Sequence, residues 1–363
     1  MKIFYDFQIM MAQRYGGISR YFIELNNAIR EEKLADTYFN MPFNSNVYYS
    51  NYFGKRMLKY RLTDFGDPFY KFDKIYSKKE IKSGRYDIIH PTYYDPYIID
   101  CDYKGKLIIT VYDMIHEKFQ RNFSANDDTI RKKRKLLYAA DHLIAISEST
   151  KKDIIEMYPD ISPEKISVVY LGSNMKEKNK TTVDLQIPHK YVLFVGNREI
   201  YKNYERFFGA VSNLFEKYID LALLCIGGGK FTEREMKLHG KWNDRVYQMN
   251  ASDDILSYAY SHAECFVFPS LYEGFGIPTL EAFACGCPVV LSNTSSMPEV
   301  GGDAAEYFDP YDIGDIQDKI EGVLQNKKKR KEMICRGNLQ LQKFCWEDIA
   351  RETVRCYEKV LGK

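Results

Sequence analysis

The sequence lacks an excess of charge of either sign. It has 52 Lys and Arg residues against 50 Asp and Glu residues, which leaves a formal net charge of +2. A protein that binds nucleic acid normally carries a clear basic excess. We therefore expect no nucleic-acid partner.

The sequence also lacks cysteines with disulfide or metal-ligand spacing. Its eight cysteines are scattered, and none forms a C-x-x-C pair. Cys225 and Cys265 lie in apolar runs, and Cys285 and Cys287 flank a glycine. This usage predicts reduced, buried thiols in a cytosolic protein.

Long hydrophobic runs are absent as well, and no stretch approaches the length of a membrane span. The opening segment "MKIFYDFQIMM" has an acidic residue inside its apolar stretch, so we do not expect a secretory signal. We predict a cytoplasmic protein, with the inner face of the plasma membrane as the one membrane surface it can reach. There are 2 Trp but 30 Tyr and 22 Phe, and composition alone does not separate a sugar site from an aromatic core.

Short apolar runs alternate with segments of helical period from end to end, which is typical of parallel sheets flanked by helices. A chain of 363 residues exceeds what one core usually holds. One helix is predicted at Ser19–Arg30, where Phe22, Leu25 and Ile29 repeat at helical spacing. Asn40–Lys79 has poor periodicity, and we expect an irregular insertion there. The strands predicted in the first half are Lys2–Phe7, Asp87–His90, Leu107–Asp113, Leu143–Ser147 and Ile166–Leu171.

A polar, aperiodic stretch divides the chain into two similar halves. We predict an N-terminal Rossmann-like domain at 1–172, a linker at 173–189 and a C-terminal Rossmann-like domain at 190–345. An amphipathic helix at 346–363 follows, with the N-terminal domain as one surface on which it can pack. The fold class is α/β, with two open parallel-sheet domains facing across a cleft. Ligands of such sheets bind outside the carboxyl ends of the strands.

Two cations follow a strand-end glycine in the segment "VGNREIYKN". Gly196 lets the backbone approach a ligand closely, and Arg198 and Lys202 can grip a diphosphate. Lys202 precedes a helix for which Asn203 is the expected cap. The alternative is a solvated surface pair, and these nine residues do not decide between the two.

A glycine pair in "QRYGGISRYF" follows the first strand and precedes a helix. Backbone N–H groups at Gly16 and Gly17 can meet an anion there. The spacing is neither the G-x-G-x-x-G of a dinucleotide fold nor a P-loop.

Two glutamates surround a helix start in "SLYEGFGIPTLEAFACGCPVV". Pro278 reads as the first helical residue and Gly286 as the helix stop. Glu273 lies in the preceding loop and Glu281 in the first turn. Carboxylates repel phosphate but accept hydrogen bonds from the hydroxyl pairs of a ribose and a sugar, so the site suits a nucleotide sugar. The plainer reading is that Glu281 only favours the helix dipole, worth about 0.3–1 kcal/mol.

The segment "VFPSLYEGFGIPTLEAFACGCPVVLSN" closely resembles the donor-site signature of the family-4 (glycosyltransferase group 1) retaining glycosyltransferases of GT-B fold. Glu273 and Glu281 match the E-x7-E pattern of that family. The blocks "GGISRYF", "ADHLIAISESTKKDI", "PEKISVVYLG" and "YVLFVGNREIYKN" are similar to family blocks and occur in the family's order. The resemblance covers nearly the whole chain.

The resemblance implies a role for each matching residue. Arg198 and Lys202 would bind the donor diphosphate, close to Gly196, and Glu281 would hold the ribose. Gly17, together with Gly16, would approach the phosphate or sugar from the N-terminal domain. The transferred sugar would be held by Glu273 and by the backbone of Gly274, Phe275 and Gly276.

The segment "TVYDMIHEK" departs from the family pattern. Many members end this strand with a His that meets the sugar, and the aligned residue here is Tyr112. Asp113 and His116 follow, so the sugar-facing residue is one of these three. His90 ends another strand, and the sequence does not decide whether it is a core residue or a site residue.

The resemblance implies retention of configuration by front-face displacement, in which the leaving diphosphate helps to deprotonate the acceptor. The catalytic set is then Glu273, Arg198, Lys202, Asp113 and His116. No metal or other cofactor is required. The D-x-D at Asp100–Asp102 is expected to be an exposed loop.

The basic run "RKKRK" at 131–135 precedes an apolar stretch at helical spacing. It can rest on an anionic membrane or form a solvated helix face.

The expected function is retaining transfer of a sugar from a GDP-, UDP- or dTDP-sugar to a hydroxyl acceptor. The resemblance alone implies that the acceptor is a glycan or lipid-linked glycan of O-antigen or capsule synthesis. The alternatives are a sugar-nucleotide epimerase of GT-B fold and a non-catalytic subunit that binds a nucleotide sugar or a glycan.

Overall fold

The computed structural model describes residues 1–39, 41–54, 68–175 and 187–363. Most of the predicted linker, 176–186, lies outside these residues, as do Asn40 and 55–67 of the predicted insertion. The chain divides into two units. The first comprises Met1–Gly172 and Cys345–Lys363, and the second comprises Ser173–Phe344.

The described residues form β-strands and α-helices in close alternation. The strands are β1 Lys2–Tyr5, β2 Asp36–Tyr38, β3 Ile88–His90, β4 Lys106–Val111, β5 His142–Ala145, β6 Ile166–Val168, β7 Tyr191–Val195, β8 Ala222–Ile226, β9 Val246–Met249, β10 Cys265–Phe268, β11 Val289–Ser292 and β12 Ala305–Phe308. The helices are α1 Gln8–Ala12, α2 Gly17–Glu31, α3 Val47–Phe53, α4 Pro68–Lys82, α5 Ile115–Lys118, α6 Thr129–Ala139, α7 Glu148–Met157, α8 Tyr204–Lys217, α9 Glu233–His239, α10 Asp253–His262, α11 Ile277–Ala284, α12 Met297–Gly301, α13 Ile313–Gln325, α14 Lys327–Leu341 and α15 Trp346–Val360.

The first unit contains a parallel sheet of order β2-β1-β3-β4-β5-β6. Its inner strands are buried along nearly their whole length because helices cover both faces. All five predicted strands of this half are present, each within a few residues of its expected ends. The short strand β2 was not predicted.

Helix α2 confirms the predicted 3.6-residue pattern. Phe22, Leu25 and Ile29 are fully buried, and the helix extends one or two residues beyond each predicted end. Its partner in the same unit is α15, whose Trp346 ring lies 6.1 Å from the ring of Tyr21.

Helix α15 is amphipathic and completes the core of the first unit. The hydroxyl of Tyr357 is fully buried and lies 2.7 Å from Nδ1 of His90 and 3.2 Å from the hydroxyl of Tyr5. The last segment of the chain therefore belongs to the same compact unit as the first strand.

The second unit contains a parallel sheet of order β12-β11-β10-β7-β8-β9. The runs "YVLFV" and "ALLCI" form β7 and β8, in which every residue is buried. Helix α8 packs Phe207, Val211 and Leu214 into the core over these strands. Helix α8 confirms the helix predicted to follow Lys202.

The predicted irregular insertion at 40–79 is wrong for its described part. Helix α3 occupies 47–53, and α4 begins at Pro68. Helix α4 buries Tyr70, Asp73 and Ser77. Because two of these buried residues are polar, the sequence does not show apolar residues repeating at helical spacing.

All eight cysteines are free, and six of them are buried, as predicted; Cys335 is exposed and Cys345 is half-buried. Among the residues that the structure describes, no helix combines the length and the apolar character that crossing a bilayer requires.

Candidate functional site

The second sheet has one point at which the strand order reverses. From β7 the chain proceeds outward through β8 and β9, then returns to the other side of β7 with β10 and continues to β11 and β12. Open parallel sheets bind ligands in the crevice at the carboxyl ends of the strands beside such a reversal. The loops after β7 and β10 are therefore the expected binding loops, and they carry Arg198, Lys202 and Glu273.

The loop after β7 is shaped by residues with positive φ. Gly196 has φ +131°, a conformation that glycine tolerates. A short 3-10 helix, Ile200–Lys202, follows and ends at Asn203 with φ +58°. Asn203 occupies the N-cap position of α8 as predicted, but its side chain makes no capping bond. Instead its amide donates to the carbonyl of Pro310 at 2.7 Å.

Lys202 and Glu273 form an ion pair between the two loops. Nζ of Lys202 lies 2.5 Å from Oε1 of Glu273, and the hydroxyl of Ser270 donates to the same oxygen at 2.6 Å. The two side chains are only 14% and 11% exposed. The backbone also joins the loops, because the N–H of Leu271 donates to the carbonyl of Tyr201 at 2.7 Å.

The loop after β10 turns into α11 through Gly276. This residue has φ +105°, and a Cβ added there would lie 2.6 Å from Cε of Met297. Gly274 and Phe275 are buried in the same turn. Pro278 is the second helical residue, one position later than predicted. Gly286, with φ +64°, follows the end of the helix as predicted.

Glu281 is the fifth residue of α11, so it lies just beyond the first turn in which it was predicted. It is buried, and one oxygen accepts a long hydrogen bond of 3.4 Å from the hydroxyl of Tyr260. The predicted contact of Glu281 with a ribose stays a prediction.

Arg198 is held by protein groups on all sides. Its guanidinium pairs with Glu235 and donates to the carbonyls of Gly227 at 3.1 Å and Gly229 at 2.9 Å. It also lies 4.7 Å from the ring centre of Phe231, and the side chain is 4% exposed. Burial would raise the pKa of the Glu235 carboxyl, but hydrogen bonds from Thr232 and Arg198 hold that pKa below its ordinary value. To bind a diphosphate, Arg198 would have to exchange these partners.

The guanidinium stabilises an unusual turn. Gly227, Gly228 and Gly229 all have φ between +70° and +91°, which an L side chain rarely adopts. Their carbonyls point at Arg198, and the N–H of Gly227 is bonded to Met249. Glu235 was not predicted as a site residue; its only local signal in the sequence is the T-x-x-E capping box formed with Thr232.

In the first unit, the predicted glycine pair opens α2. Gly16 is the N-cap residue, and Gly17 is the first helical residue. Gln13 lies against them: its Oε1 accepts from the N–H of Ser19 at 3.1 Å, and a Cβ at Gly16 would collide with it. An anion at this helix start would therefore compete with Gln13.

The three residues left open after β4 have separate environments. Tyr112 is buried, and its hydroxyl donates to the carbonyl of Thr92 at 3.1 Å. Asp113 accepts from the N–H of Ile115 at 3.0 Å. His116 stacks on Phe123 at 4.0 Å, with Nε2 3.4 Å from Asp127.

His90 is a core residue. It is fully buried between Tyr357 and Thr110, with Nε2 2.9 Å from the Thr110 hydroxyl. Burial lowers its pKa to about 3.

A buried polar cluster, which was not predicted from the sequence, lies where the strand order of the first sheet reverses, between β1 and β3. Asp6 accepts from the N–H and hydroxyl of Thr92, both at 2.8 Å, from Gln8 at 2.7 Å and from Tyr97 at 2.9 Å. Burial raises the pKa of Asp6 in spite of these bonds. Every oxygen of the carboxyl is occupied, so the cluster fixes the two loops.

The basic run on α6 divides between interior and surface. Lys133 is buried, and its Nζ lies 2.9 Å from Glu117 and 3.0 Å from the carbonyl of Asp113. Arg131, Arg134 and Lys135 are exposed.

The D-x-D acids Asp100 and Asp102 lie on an exposed turn, as predicted. Among the described residues, no group of three or more His, Cys, Asp or Glu is arranged to hold a metal ion.

Two family models match consecutive parts of the chain. The model of the glycosyl transferases group 1 matches residues 175–340, and that of glycosyltransferase family 4 matches residues 15–177. The chain belongs to the family-4, group 1 glycosyltransferases. Lys202 and Glu273 thus lie in the half of this glycosyltransferase that the group 1 model covers.

Curated relatives match over part of their length. The O-antigen chain mannosyltransferase B of Escherichia coli is 45% identical over 106 residues, which is 29% of this chain and 28% of that protein. The serotype-specific mannosyltransferase WbdA of Escherichia coli is 28% identical over 240 residues, which is 61% of this chain and 29% of that protein. The chain matches less than a third of the length of each.

Solved structures match over the whole chain and share the GT-B fold. Sucrose-phosphate synthase from Thermosynechococcus elongatus has a TM-score of 0.76 at 19% identity, with 99% of both chains covered. Anabaena HepE, solved with UDP and glucose, has a TM-score of 0.72 at 15% identity, with 98% of both chains covered. The predicted family is confirmed, and so is the predicted α/β class with two open parallel sheets of GT-B type.

Proposed function

We propose that the protein is a retaining glycosyltransferase that moves a mannosyl group from a nucleoside-diphosphate sugar to a hydroxyl of a bacterial surface glycan. The observation that carries the proposal is the Lys202–Glu273 pair at the strand-order reversal of a group 1 glycosyltransferase. The names of the similar O-antigen mannosyltransferases support mannose as the sugar and O-antigen as the glycan class. HepE, solved with UDP and glucose, supports a nucleoside-diphosphate donor.

In this proposal, ligand groups replace the partners of the ion pair. The ammonium group of Lys202 leaves Glu273 and pairs with the diphosphate. There it stabilises the negative charge that develops on the diphosphate as the bond to the sugar breaks. Glu273 accepts hydrogen bonds from sugar hydroxyls, next to the backbone at Gly274, Phe275 and Gly276. Glu281 accepts from the ribose. Arg198 is a second diphosphate ligand only if it leaves Glu235.

The bond changes follow front-face displacement. The bond from the anomeric carbon to the diphosphate oxygen breaks, and a bond to the acceptor oxygen forms on the same face. The acceptor proton passes to the departing phosphate oxygen, so the protein supplies charge and orientation. No metal is required in this scheme. Gly16, Gly17, Asp113 and His116 are the proposed contacts from the first unit.

A panel of donors tests the proposal: GDP-mannose, UDP-glucose, UDP-N-acetylglucosamine and a dTDP-sugar, each with and without a mannose-terminated oligosaccharide. Donor at a hundred times its dissociation constant should stabilise the protein by about 2.7 kcal/mol. We expect transfer from GDP-mannose and an α-linked product by NMR. A β-linked product would contradict retention, and transfer of another sugar would contradict mannose.

The same panel separates the alternatives. An epimerase would convert the donor without acceptor, whereas a glycosyltransferase releases the nucleotide when acceptor is present. A non-catalytic binding subunit would bind donor without turnover. If the protein were such a subunit, the variants Glu273→Ala and Lys202→Ala would keep its cellular role. If it is the proposed glycosyltransferase, we expect both variants to lose glycan synthesis.

We further propose that the exposed face of α6 rests on an anionic membrane where a lipid-linked acceptor lies. Arg131, Arg134 and Lys135 surround Ile99 and Tyr138 in an open depression of about 730 Å³. Cations around an apolar centre suit an anionic lipid surface. Sedimentation with vesicles rich in the anionic lipid phosphatidylglycerol should capture the wild type. The triple variant with glutamine at 131, 134 and 135 should stay in solution, and equal capture of both would contradict the contact.

A further inference from the structure

The segment that follows β11 packs against the loop that carries Glu273. It comprises residues 292–296, beginning at the last residue of β11, and we call it the serine segment. The hydroxyl of Ser292 donates to the carbonyl of Ser270 at 2.6 Å, and that of Thr294 lies 3.3 Å from the same carbonyl. Ser270 in turn donates to the carboxylate of Glu273.

Two residues of the serine segment hold the backbone of Glu273 directly. The N–H of Glu273 donates to the hydroxyl oxygen of Ser295 at 2.9 Å. The hydroxyl of Ser296 lies 2.9 Å from the carbonyl of Glu273 and 2.8 Å from that of Phe275, and it donates between them. Both peptide groups that flank the Glu273 side chain are therefore fixed.

Ser295 has a strained backbone. Its φ is +49°, and only two other non-glycine residues of the described part, Lys33 and Asn203, have positive φ. A non-glycine residue in this region costs about 1–3 kcal/mol and persists where its surroundings over-determine it. Here the strained conformation brings the hydroxyl to the N–H of Glu273.

We propose that Ser295 is a positioning residue for sugar transfer, acting through Glu273. This inference rests on the proposed function. Its hydroxyl fixes the peptide before Glu273, so that the carboxylate meets the sugar hydroxyls at the right angle. Small misplacements of a reacting group can lower the rate about 100-fold. Ser296 and Ser270 complete the support of the Glu273 loop.

Two substitutions separate positioning from stability. Ser295→Ala removes the hydroxyl and leaves the strained φ, whereas Ser295→Gly removes the hydroxyl and relieves the strain. Ser212→Ala is the matched control, because the Ser212 hydroxyl donates at 2.8 Å to Gly209 within α8. We expect kcat to fall about 10- to 100-fold in both Ser295 variants, with an unchanged KM for the acceptor. The unfolding temperature should lie below that of the wild type in Ser295→Ala and above it in Ser295→Gly.

A double-variant cycle with Glu273→Gln tests the route of the effect. If Ser295 acts through Glu273, Ser295→Gly lowers kcat in the wild type but causes little further loss in the Glu273→Gln background. A kcat within twofold of Ser212→Ala, or full additivity with Glu273→Gln, would overturn the inference. A folded wild type that transfers no sugar from any donor would instead refute the proposed function, and the inference with it.

Discussion

Nζ of Lys202 lies 2.5 Å from Oε1 of Glu273, and the two residues come from loops after neighbouring strands, β7 and β10. Their charges cancel in a nearly buried site. A donor that brings a diphosphate and a set of hydroxyls offers each residue a new partner of matching chemistry. In the proposed function, the diphosphate replaces Glu273 as the partner of Lys202, and the sugar hydroxyls replace Lys202 as the partners of Glu273. Both charged groups therefore stay paired when the donor binds.

Removing one member of the pair should harm both activity and stability. We expect Lys202→Met to lower kcat about 10²- to 10³-fold, because the charge that faces the leaving group is lost. It should also destabilise the protein, because the buried Glu273 carboxylate loses its counter-charge and keeps the hydrogen bond from the Ser270 hydroxyl. Steady-state kinetics and urea unfolding measure the two effects.

The double variant Lys202→Met/Glu273→Gln is the matched control. Since it leaves no unpaired charge, it should recover at least about 1 kcal/mol of stability relative to Lys202→Met, while its activity stays low. A double variant less stable than Lys202→Met would show that the pair does not couple these residues.

The contact between Arg198 and Glu235 should contribute to stability. Arg198→Lys cannot reproduce the fork that reaches Glu235 and the glycine carbonyls. We expect it to lower the free energy of unfolding by about 1.5–3 kcal/mol and to speed hydrogen exchange at Gly228 and Gly229. Arg234→Lys is the control, since Arg234 pairs with Glu205 on the exposed surface and should change stability by less than about 1 kcal/mol. Unchanged stability with much weaker nucleotide binding would instead identify Arg198 as a phosphate ligand.

Gly276→Ala should distort the loop that carries Glu273. The substitution combines a φ of +105° with a Cβ only 2.6 Å from Met297. We expect a loss of about 1–3 kcal/mol from the backbone strain, an additional loss from the collision, and low activity. Gly229→Ala is the comparison, because φ is +71° there but no atom lies within 4 Å of the added Cβ. Equal costs at the two positions would show that the Met297 contact is unimportant.

The buried His90 should make stability depend on pH. Burial lowers its pKa to about 3 in the folded protein, while the unfolded chain has a value near 6.5. Between these values the unfolded chain binds the additional proton, so stability falls as the pH drops from about 6.5 towards 3. In thermal unfolding between pH 7.5 and 4.5, His90→Gln should lose less stability than the wild type. His262→Gln, at an exposed position, should follow the wild type; equal slopes for all three would contradict the prediction.

Much of the fold follows from local patterns. The apolar runs of β7, β8 and β10 are buried strands because helices cover both faces of the sheet, and α2 and α8 show the expected period. Helix α4 was missed because its inner positions include Asp73 and Ser77 while Phe72 and Ile75 are exposed. A hydrophobic pattern cannot find a helix whose buried face is partly polar.

The site was only partly predictable for a similar reason. Lys202 and Glu273 follow neighbouring strands, so the parallel-sheet rule brings their loops together. The partner of Arg198 depends on how the turn at Gly227 folds back, which no spacing encodes. The same holds for Ser295, whose left-handed backbone is imposed by contacts with a loop more than twenty positions earlier.

Helix α15 has a consequence for synthesis of the chain. The first unit contains both β1 and α15, whereas the second is continuous from Ser173 to Phe344. On the ribosome, the second unit can finish folding while the first still waits for Tyr357 to cover His90 and Tyr5. The first unit is therefore completed after the second, although most of its residues are translated earlier.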